Sequence, residues 1–316
     1  MGKRKIFIIL GPTSTGKTSL ALSLCKDFNG EIISADSRQI YKYMDIGTGK
    51  IPMNSEVEIK REDTYWVLGK VKTWGYDLVT PDRFFSGYDF SVFALKKADE
   101  ILRSGKNVFL VGGTGFYIDL FTGKVKPSNV KPDLELRKSL EKMRLEELQG
   151  KLEGLNRKVF EKIDKQNKVR LIRAIERQIS KNINETSLPY IENYSFVQIG
   201  LNSQRGILHK RADLWVDEIW RQGLVEEVRK LIEMGYNDSL KLQGIIYKSV
   251  MQFVDGKISK EDAIQLSKYD VHKYIKRQLT YFKKNKDIAW VDISEDGYKK
   301  MIYNKVEKEL RRWINR

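Results

Sequence analysis

Hydrophobic positions near the N-terminus alternate between short, fully apolar runs and stretches with helical spacing. Ile6–Leu10 predicts a buried strand, and Thr18–Lys26 predicts a helix. Further along, Glu31–Ser34 predicts a strand, Phe93–Arg103 an amphipathic helix and Asn107–Val111 another strand. Strands that alternate with helices are typical of a parallel sheet with crossover helices, so the chain begins as an α/β domain.

The pattern changes between residues 124 and 190. This stretch is charged and helical in spacing, with leucines placed among many lysines and glutamates: Leu134, Leu140, Leu145, Leu148 and Leu152. Strand and helix signals then return, at Ser195–Leu201, His209–Gln222, Leu224–Met234, Lys260–Lys284 and Trp290–Ile293. We therefore predict an α/β core formed by residues 1–123 and 191–316, interrupted by an all-helical insertion domain at 124–190.

A phosphate-binding motif follows the first predicted strand. GPTSTGKT fits the spacing G-x-x-x-x-G-K-[ST], with a strand before it and a helix after it. Backbone N–H groups of such a loop bind anionic oxygens, the lysine adds a charge, and the final threonine can hold Mg²⁺. The residues of the predicted phosphate site are Gly11, Pro12, Thr13, Ser14, Thr15, Gly16, Lys17 and Thr18, with Thr18 as the metal ligand. The predicted fold is α/β, a P-loop-type parallel sheet core with flanking helices and an inserted helical domain.

The acid that should accompany this loop stands in an unusual place. In a kinase or ATPase, an acidic residue for Mg²⁺ usually follows a later strand. Here that strand runs into Gly112–Gly115 without an acid, and Asp36 instead follows the second strand. Asp36 is then expected at the carboxyl edge of the sheet, where ligands bind in open α/β folds, although an aspartate there can also simply cap a turn.

Charge and rare residues narrow the class of protein. A net charge of +16 over 316 residues favours a polyanionic partner such as nucleic acid, although a lysine-rich solvated surface gives the same number. The single cysteine, Cys25, excludes an internal disulfide, and the presence of only two histidines argues against a histidine-based metal site or catalyst. No apolar run approaches the ~20 residues that span a bilayer, and Ile6–Leu10 is too short for a signal peptide, so a cytoplasmic protein is expected.

Several segments occur together in the order that characterises one family. They are GPTSTGKT, ADSRQIYKYMDIGTGK, VGGTGFY, GLVEEVRKL and KRQLTYF, of which the second is far more specific than the first. From about residue 5 to residue 290 the chain resembles the tRNA dimethylallyltransferases, also called tRNA isopentenyltransferases.

The resemblance implies a prenyl-transfer reaction. A dimethylallyl group moves from dimethylallyl diphosphate to N6 of an adenosine next to the tRNA anticodon, and the phosphate loop holds the donor's diphosphate rather than ATP. Asp36 is then the proton acceptor for the adenine amine. Lys17, Thr18, Mg²⁺ and the loop amides stabilise the leaving diphosphate, and Arg211 aligns with a family arginine that reaches it.

The resemblance also implies where tRNA binds. The insertion helices would clamp the anticodon stem-loop, and the base to be modified would leave the loop to enter the site. The expected tRNA-contacting residues are Asp36, Ser37, Arg38, Gln39, Thr114, Val169, Arg170, Leu171, Ile172, Arg173, Lys276, Arg277, Gln278 and Lys283. The basic segments among them can also be ordinary solvated helix faces, and Gln278 can either read a base edge or cap a turn.

The chain departs from the family pattern at a few positions. Ile246 stands where the pattern has glycine, and Ser249 stands where it has an acid. A second arginine expected after Arg211 is replaced in the Leu214–Trp215 region. These changes bear on the expected tRNA contacts more than on the chemistry.

Three other functions remain open at this stage. An adenylate isopentenyltransferase, which prenylates free AMP, ADP or ATP, shares the loop and the aspartate but needs neither the insertion nor the basic C-terminal segment. A P-loop small-molecule kinase would turn over ATP, and a non-catalytic RNA-binding protein would not need Lys17, Thr18 and Asp36. The sequence shows no long exposed apolar seam, so a monomer is expected.

Overall fold

A computed structural model of the chain describes residues 3–52, 57–126, 130, 133–180, 191–239 and 241–314. The chain divides into two compact units, one formed by Met1–Val125 with Pro189–Arg316 and the other by Lys126–Leu188. Within the part of the chain that is described, none of the helices is both long and apolar enough to cross a membrane.

An eight-stranded sheet forms the centre of the larger unit. Its strands are β1 (Arg4–Leu10), β2 (Gly30–Ser34), β3 (Ile59–Arg61), β4 (Tyr65–Leu68), β5 (Val71–Trp74), β6 (Asn107–Gly112), β7 (Tyr194–Asn202) and β8 (Ala289–Asp292), in the order β3-β4-β5-β2-β6-β1-β7-β8. β1 lies between β6 and β7 and is parallel to both, with Ile8 opposite Leu110 and Gln198. A strand that is covered on both faces needs an unbroken apolar run, which explains the wholly buried segment Ile6–Leu10.

The predicted parallel sheet is confirmed for the five adjacent strands β2, β6, β1, β7 and β8. The three-stranded segment β3–β4–β5 was not expected. In this segment β4 is antiparallel to both of its neighbours, and β5 pairs with β2 in parallel. Its strands are three or four residues long. Runs this short and partly exposed carry too little periodicity to be recognised from sequence.

Helices flank this sheet. They are α1 (Lys17–Asp27), α2 (Gly87–Arg103), α3 (Gly115–Phe121), α8 (Arg205–Arg221), α9 (Leu224–Glu233), α10 (Ile246–Val254), α11 (Lys260–Phe282) and α12 (Tyr298–Ile314). α2 begins six residues before the predicted start at Phe93, because Ser86 and Asp89 form a capping box in which each side chain accepts a hydrogen bond from the other's backbone N–H.

The smaller unit is entirely helical in its described residues. It contains α4 (Leu134–Glu141), α5 (Leu145–Leu155), α6 (Arg157–Lys162) and α7 (Lys168–Ile179). Its core is built by buried side chains of Leu140, Leu148, Leu152, Leu171, Ile172, Ala174 and Ile175. Glu176 is buried beside this core and accepts hydrogen bonds from the guanidinium of Arg137 and the backbone N–H of Asp133, and it also pairs with Arg173. These partners hold the pKa of the Glu176 carboxyl below its usual range despite its burial.

The sheet order decides where the functional segments meet. β2, β6 and β1 are adjacent and parallel, so the loops that follow them leave the sheet at the same edge. Asp36 follows β2, Thr114 follows β6, and the phosphate motif follows β1. The backbone of Gly112 approaches Ala35 so closely that a Cβ there would overlap the Ala35 carbonyl, which explains a glycine at this point of VGGTG.

Candidate active site

The phosphate motif folds into a loop between β1 and the N-terminus of α1. Gly11 has φ +140°, and a Cβ at this position would overlap the carbonyl oxygen of Leu201 on β7, so the path requires glycine. Thr15 Oγ1 donates to the carbonyl of Pro12 at 2.8 Å and closes the loop from within. The buried hydroxyl of Ser14 has no hydrogen-bond partner among the described residues. An unpaired buried hydroxyl inside this loop fits a site that is completed by an anionic ligand.

Lys17 opens α1 and lies half-buried beneath the loop. Its Nζ donates to the carbonyl of Pro12 at 2.6 Å. Burial lowers the pKa of the Lys17 ammonium to about 8, and the charge of Asp36 opposes this shift. The Lys17 ammonium is therefore positioned at the phosphate loop, and it loses its proton close to neutral pH.

This pKa predicts how anion binding depends on pH. Below about pH 8 Lys17 is charged, and above it the charge is lost, so the affinity for inorganic diphosphate should fall by up to about tenfold between pH 7 and pH 9. Titration calorimetry at both pH values measures this. The variant Lys17→Met controls for the ligand's own titration and should show a much smaller difference; an equal fall in the variant would contradict the assignment.

Arg211 reaches the same loop from α8. Its Nε donates to the carbonyl of Ser14 at 2.8 Å, and its guanidinium lies beside Gly16. The side chain itself is exposed. Of the predicted catalytic residues, Arg211 is the most distant in sequence from the loop, and the structure brings it to the phosphate cradle.

Asp36 stands at the carboxyl edge of the sheet, as its position after β2 predicts. Its Oδ1 accepts the backbone N–H of Arg38 at 2.8 Å. Burial raises the pKa of the carboxyl, while that N–H and the charges of Lys17 and Arg38 oppose the rise. A raised pKa makes the carboxylate a better proton acceptor than an ordinary aspartate.

An open pocket extends from Asp36 to Thr13 of the phosphate loop. Thr13 of the loop and Asp36 both line it, and the remaining lining is largely apolar or aromatic: Trp215, Ile245, Ile246, Tyr247, Val271 and Tyr274. Ile245 has φ +46°, a conformation that costs a β-branched residue roughly 1–3 kcal/mol and that is found mainly where a site demands it. The pocket presents the Asp36 carboxylate, the Arg38 side chain and Thr13 of the phosphate loop on a lining that is otherwise largely apolar.

Gln278 of α11 braces the phosphate loop. Its Oε1 accepts the backbone N–H of Thr13 at 2.9 Å, and its Nε2 donates to the carbonyl of Gly113 at 3.0 Å. The side chain is buried, so both ends of its amide are occupied within the protein. The family resemblance put Gln278 among the expected tRNA contacts, with the capping of a turn as the alternative, and in the structure its side chain lies between the loop and the end of β6.

The specific block ADSRQIYKYMDIGTGK forms a wall of the pocket, and Glu227 of α9 fixes this wall. The Glu227 carboxylate accepts the backbone N–H groups of Asp45, Ile46 and Gly47 at 2.8, 2.6 and 3.1 Å, and the hydroxyl of Tyr247 at 2.7 Å. Sequence analysis named the segment GLVEEVRKL but did not single out Glu227 within it, because the backbone groups that it binds lie about 180 positions away.

Lys50 fixes the other end of the same block. Its side chain is fully buried, and Nζ donates to the Tyr41 carbonyl at 2.6 Å and pairs with Asp45 at 2.8 Å and Asp77 at 2.5 Å. Asp77 in turn accepts the indole N–H of Trp66 at 2.7 Å. Part of the characteristic sequence of this block therefore forms a buried ion cluster and does not face a ligand.

The residues after Asp36 are divided between the pocket and its framework. Arg38 lines the pocket while its guanidinium donates to the carbonyl of Lys241 at 2.8 Å. Gln39 accepts the hydroxyl of Ser34 and donates to the carbonyls of Thr48 and Gly49. The hydroxyl of Thr114 accepts the backbone N–H of Ser37 at 3.0 Å. Gln39 is thus committed to internal contacts.

The segment Val169–Arg173 belongs to the helical unit. Leu171 and Ile172 lie in that unit's core, and Arg173 pairs with Glu176 and donates to the Val130 carbonyl. Val169 and Arg170 are exposed, and Arg170 pairs with Asp164 at 3.5 Å. Among these five residues, Val169 and Arg170 have side chains most open to an external partner.

The C-terminal part of α11 and the turn after it carry a basic surface. Lys276, Arg277, Lys283, Lys284 and Lys286 are all exposed. Phe282, which the sequence places among them, is buried.

The departures from the family pattern lie at the pocket and behind it. Ile246 begins α10 and lines the pocket, as Trp215 does. Ser249 is buried between α10 and α11, where its hydroxyl shares a hydrogen bond of 2.8 Å with Ser267. Leu214 is exposed.

No protein cluster in the described residues would hold a metal by itself: no group of three or more His, Cys, Asp or Glu side chains has a suitable arrangement. Mg²⁺ commonly binds through one or two protein groups together with phosphate oxygens and water. Thr18, in the first turn of α1, is the hydroxyl expected to contribute. The residues present therefore fit an ion that enters with a phosphorylated ligand.

Comparison with known proteins agrees with this geometry. The family model for "IPP transferase" matches residues 39–285. A tRNA dimethylallyltransferase of Acetivibrio thermocellus is 40% identical over 311 residues, covering 95% of each chain, and one of Clostridioides difficile is 39% identical, covering 93% of this chain and 94% of the relative. The crystal structure of a tRNA isopentenylpyrophosphate transferase from Bacillus halodurans superposes with a TM-score of 0.70 at 33% identity, over 98% of both chains.

Proposed function

The chain belongs to the IPP transferase family, and we propose that it transfers a dimethylallyl group from dimethylallyl diphosphate to N6 of an adenosine next to the anticodon of tRNA. The observation that carries this proposal is the pocket in which Asp36 and the phosphate loop face one cavity. A carboxylate and an anion cradle on one apolar pocket suit a substitution at carbon: an amine on one side, a diphosphate leaving group on the other.

Asp36 activates the amine. An exocyclic adenine amine is a weak nucleophile, because its lone pair is delocalised into the ring, so it needs orientation and a proton acceptor. The carboxylate of Asp36 accepts a hydrogen bond from N6–H, and the proton moves to it as the N–C bond forms. The N–H bond from Arg38 holds the carboxylate in place.

The phosphate loop stabilises the leaving group. As the C–O bond breaks, negative charge grows on the diphosphate. Lys17 and Arg211 both contact the phosphate loop, which supports a role for them, together with the loop amides, in stabilising this charge. Mg²⁺ held through Thr18 would add further charge neutralisation when bound.

The net charge and the exposed basic surface of α11 support binding of tRNA. Lys276, Arg277 and Lys283 are exposed and can meet backbone phosphates, whereas buried Gln278 braces the phosphate loop. A base in a single-stranded loop can be splayed out at small cost. We further propose that the protein acts in the cytoplasm as a monomer.

A transfer assay tests the proposal. The protein is incubated with labelled dimethylallyl diphosphate, Mg²⁺ and either unmodified tRNA or AMP, and in parallel with ATP. Label in tRNA alone is the expected result. Label in AMP alone would show an adenylate isopentenyltransferase, and ATP turnover without prenylation would show a kinase.

The basic surface predicts the salt dependence of tRNA binding. Each phosphate contact contributes ~0.7–0.9 to the slope of log K against log salt, so Lys276→Ala with Lys283→Ala should flatten the slope by roughly 1 to 2. Filter binding at several salt concentrations measures the slope. The pair Lys3→Ala with Lys70→Ala removes two exposed lysines outside the proposed surface and should leave it unchanged. A slope equal to that of the unmodified protein in the first variant would exclude this surface as a backbone contact.

A further inference from the structure

We propose that Trp215 is a specificity-determining residue: its indole packs on the carbon chain of the donor and limits the length of the chain that can be transferred. This inference rests on the proposed function and concerns the apolar part of the pocket. Trp215 is half-buried, lines the pocket and packs against the main hydrophobic core.

The placement of Trp215 follows from α8. Arg211 and Trp215 are four positions apart on this helix, so they share a face and lie about one turn, ~6 Å, from each other along the axis. Arg211 contacts the phosphate loop through Ser14, and Trp215 lines the pocket beside Asp36. In a prenyl diphosphate the carbon chain begins where the diphosphate ends. This face of α8 therefore contacts the diphosphate through Arg211 and the carbon chain through Trp215.

The wall behind the indole is fixed. A Cβ at Gly49 would lie 3.6 Å from Cζ2 of Trp215, so the ring rests close to the backbone of the Asp45–Lys50 segment. Glu227 holds the start of that segment by three backbone N–H groups, and Lys50 holds its end in a buried ion cluster. A wall held in this way cannot move aside easily, so an indole standing on it restricts the space.

The rest of the lining is consistent with a short apolar chain. Val271 and Ile246 are buried and apolar, and they line the same pocket as Trp215. Interiors of this kind are densely packed and respond to a change of even one methylene. Trp215 is the largest side chain of the lining, so its replacement by alanine frees more volume than replacement of any other lining residue.

Competition between two donors tests this. Values of kcat/KM are measured with tRNA for dimethylallyl diphosphate and for geranyl diphosphate, which carries twice the carbon chain. Trp215→Ala should lower the preference for the shorter donor by at least about tenfold, and Trp215→Phe should keep it within about threefold. Leu214→Ala, the neighbouring exposed residue on α8, is the matched control and should not change it. Should Trp215→Ala not fold, Trp215→Leu takes its place.

A binding measurement separates this inference from the proposed function. Dimethylallyl diphosphate added without tRNA should change the tryptophan fluorescence, and Trp215→Phe should abolish the change although five other tryptophans remain, from a total of 6. An unchanged donor preference in folded Trp215→Ala, or an unchanged fluorescence response in Trp215→Phe, would overturn the role of Trp215. Failure of the unmodified protein to prenylate tRNA would overturn the proposed function, while the fluorescence response would still test the contact.

Discussion

Asp36→Asn is expected to slow dimethylallyl transfer by roughly 10²–10⁴-fold while the donor still binds, because asparagine keeps the shape of the side chain but accepts no proton. The carboxylate lines the pocket and is held by the N–H of Arg38, so the loss concerns the chemical step. Single-turnover transfer of labelled donor to tRNA measures the rate, and calorimetry with dimethylallyl diphosphate measures binding.

The matched control for this variant is Asp82→Asn. Asp82 is an exposed carboxylate of the same unit, and its removal should leave the rate within about twofold. Transfer by Asp36→Asn at the unmodified rate would remove Asp36 from its role as proton acceptor, and a loss of rate explained entirely by weaker donor binding would do the same.

Lys50→Met is expected to lower the free energy of unfolding by about 3 kcal/mol, the lower end of the range for breaking a buried pair, because Asp77 loses its cation and Asp45 keeps only the partly exposed Arg61. The length of the side chain is kept, so little of the loss comes from packing. Chemical denaturation followed by circular dichroism gives the free energy. Since the Asp45–Lys50 segment lines the pocket at Gly47 and Thr48, transfer should weaken together with stability.

Lys60→Met is the matched control for the buried cluster. Lys60 and Glu58 form an exposed pair at 3.5 Å, with side chains 64% and 69% exposed, and such pairs contribute about 0–1 kcal/mol. Equal destabilisation by the two variants would contradict the assignment of Lys50 to a buried ion cluster.

The alternation of strands and helices could be predicted because it follows from local periodicity. β1, β2, β6, β7 and β8 lie within one or two residues of the predicted runs. The three-stranded segment β3–β5 could not be predicted, since its three- and four-residue strands are stabilised by pairing with one another and, through β5, with β2 rather than by their own pattern. α10 and α12 were also not predicted; their apolar faces become evident only against the core that they cover.

Lys17 and Asp36 could be predicted from motifs, but the residues that hold the walls of the site in place could not. Lys17 and Asp36 follow strands whose carboxyl ends must share an edge, so their proximity follows from topology. Gln278 and Glu227 act through single side chains that accept backbone N–H groups from loops 180 or more positions away. The segments GLVEEVRKL and KRQLTYF contain these two residues, but no local pattern shows which backbone groups their side chains bind.

Core packing also buries some of the residues that were predicted to contact tRNA. Leu171 and Ile172 stand beside Arg170 in the sequence, but the helical period turns them toward the core of the smaller unit. A motif identifies the segment that contacts a partner and does not tell which of its side chains face outward.

The most direct measurement is a crystal structure of the protein with an anticodon stem-loop and an unreactive thio-analogue of dimethylallyl diphosphate. We expect the diphosphate against Lys17 and the loop amides, N6 of the adenine within hydrogen-bonding distance of Asp36, and the first carbon of the donor between them. A diphosphate bound elsewhere, or an adenine whose amine points away from Asp36, would contradict it.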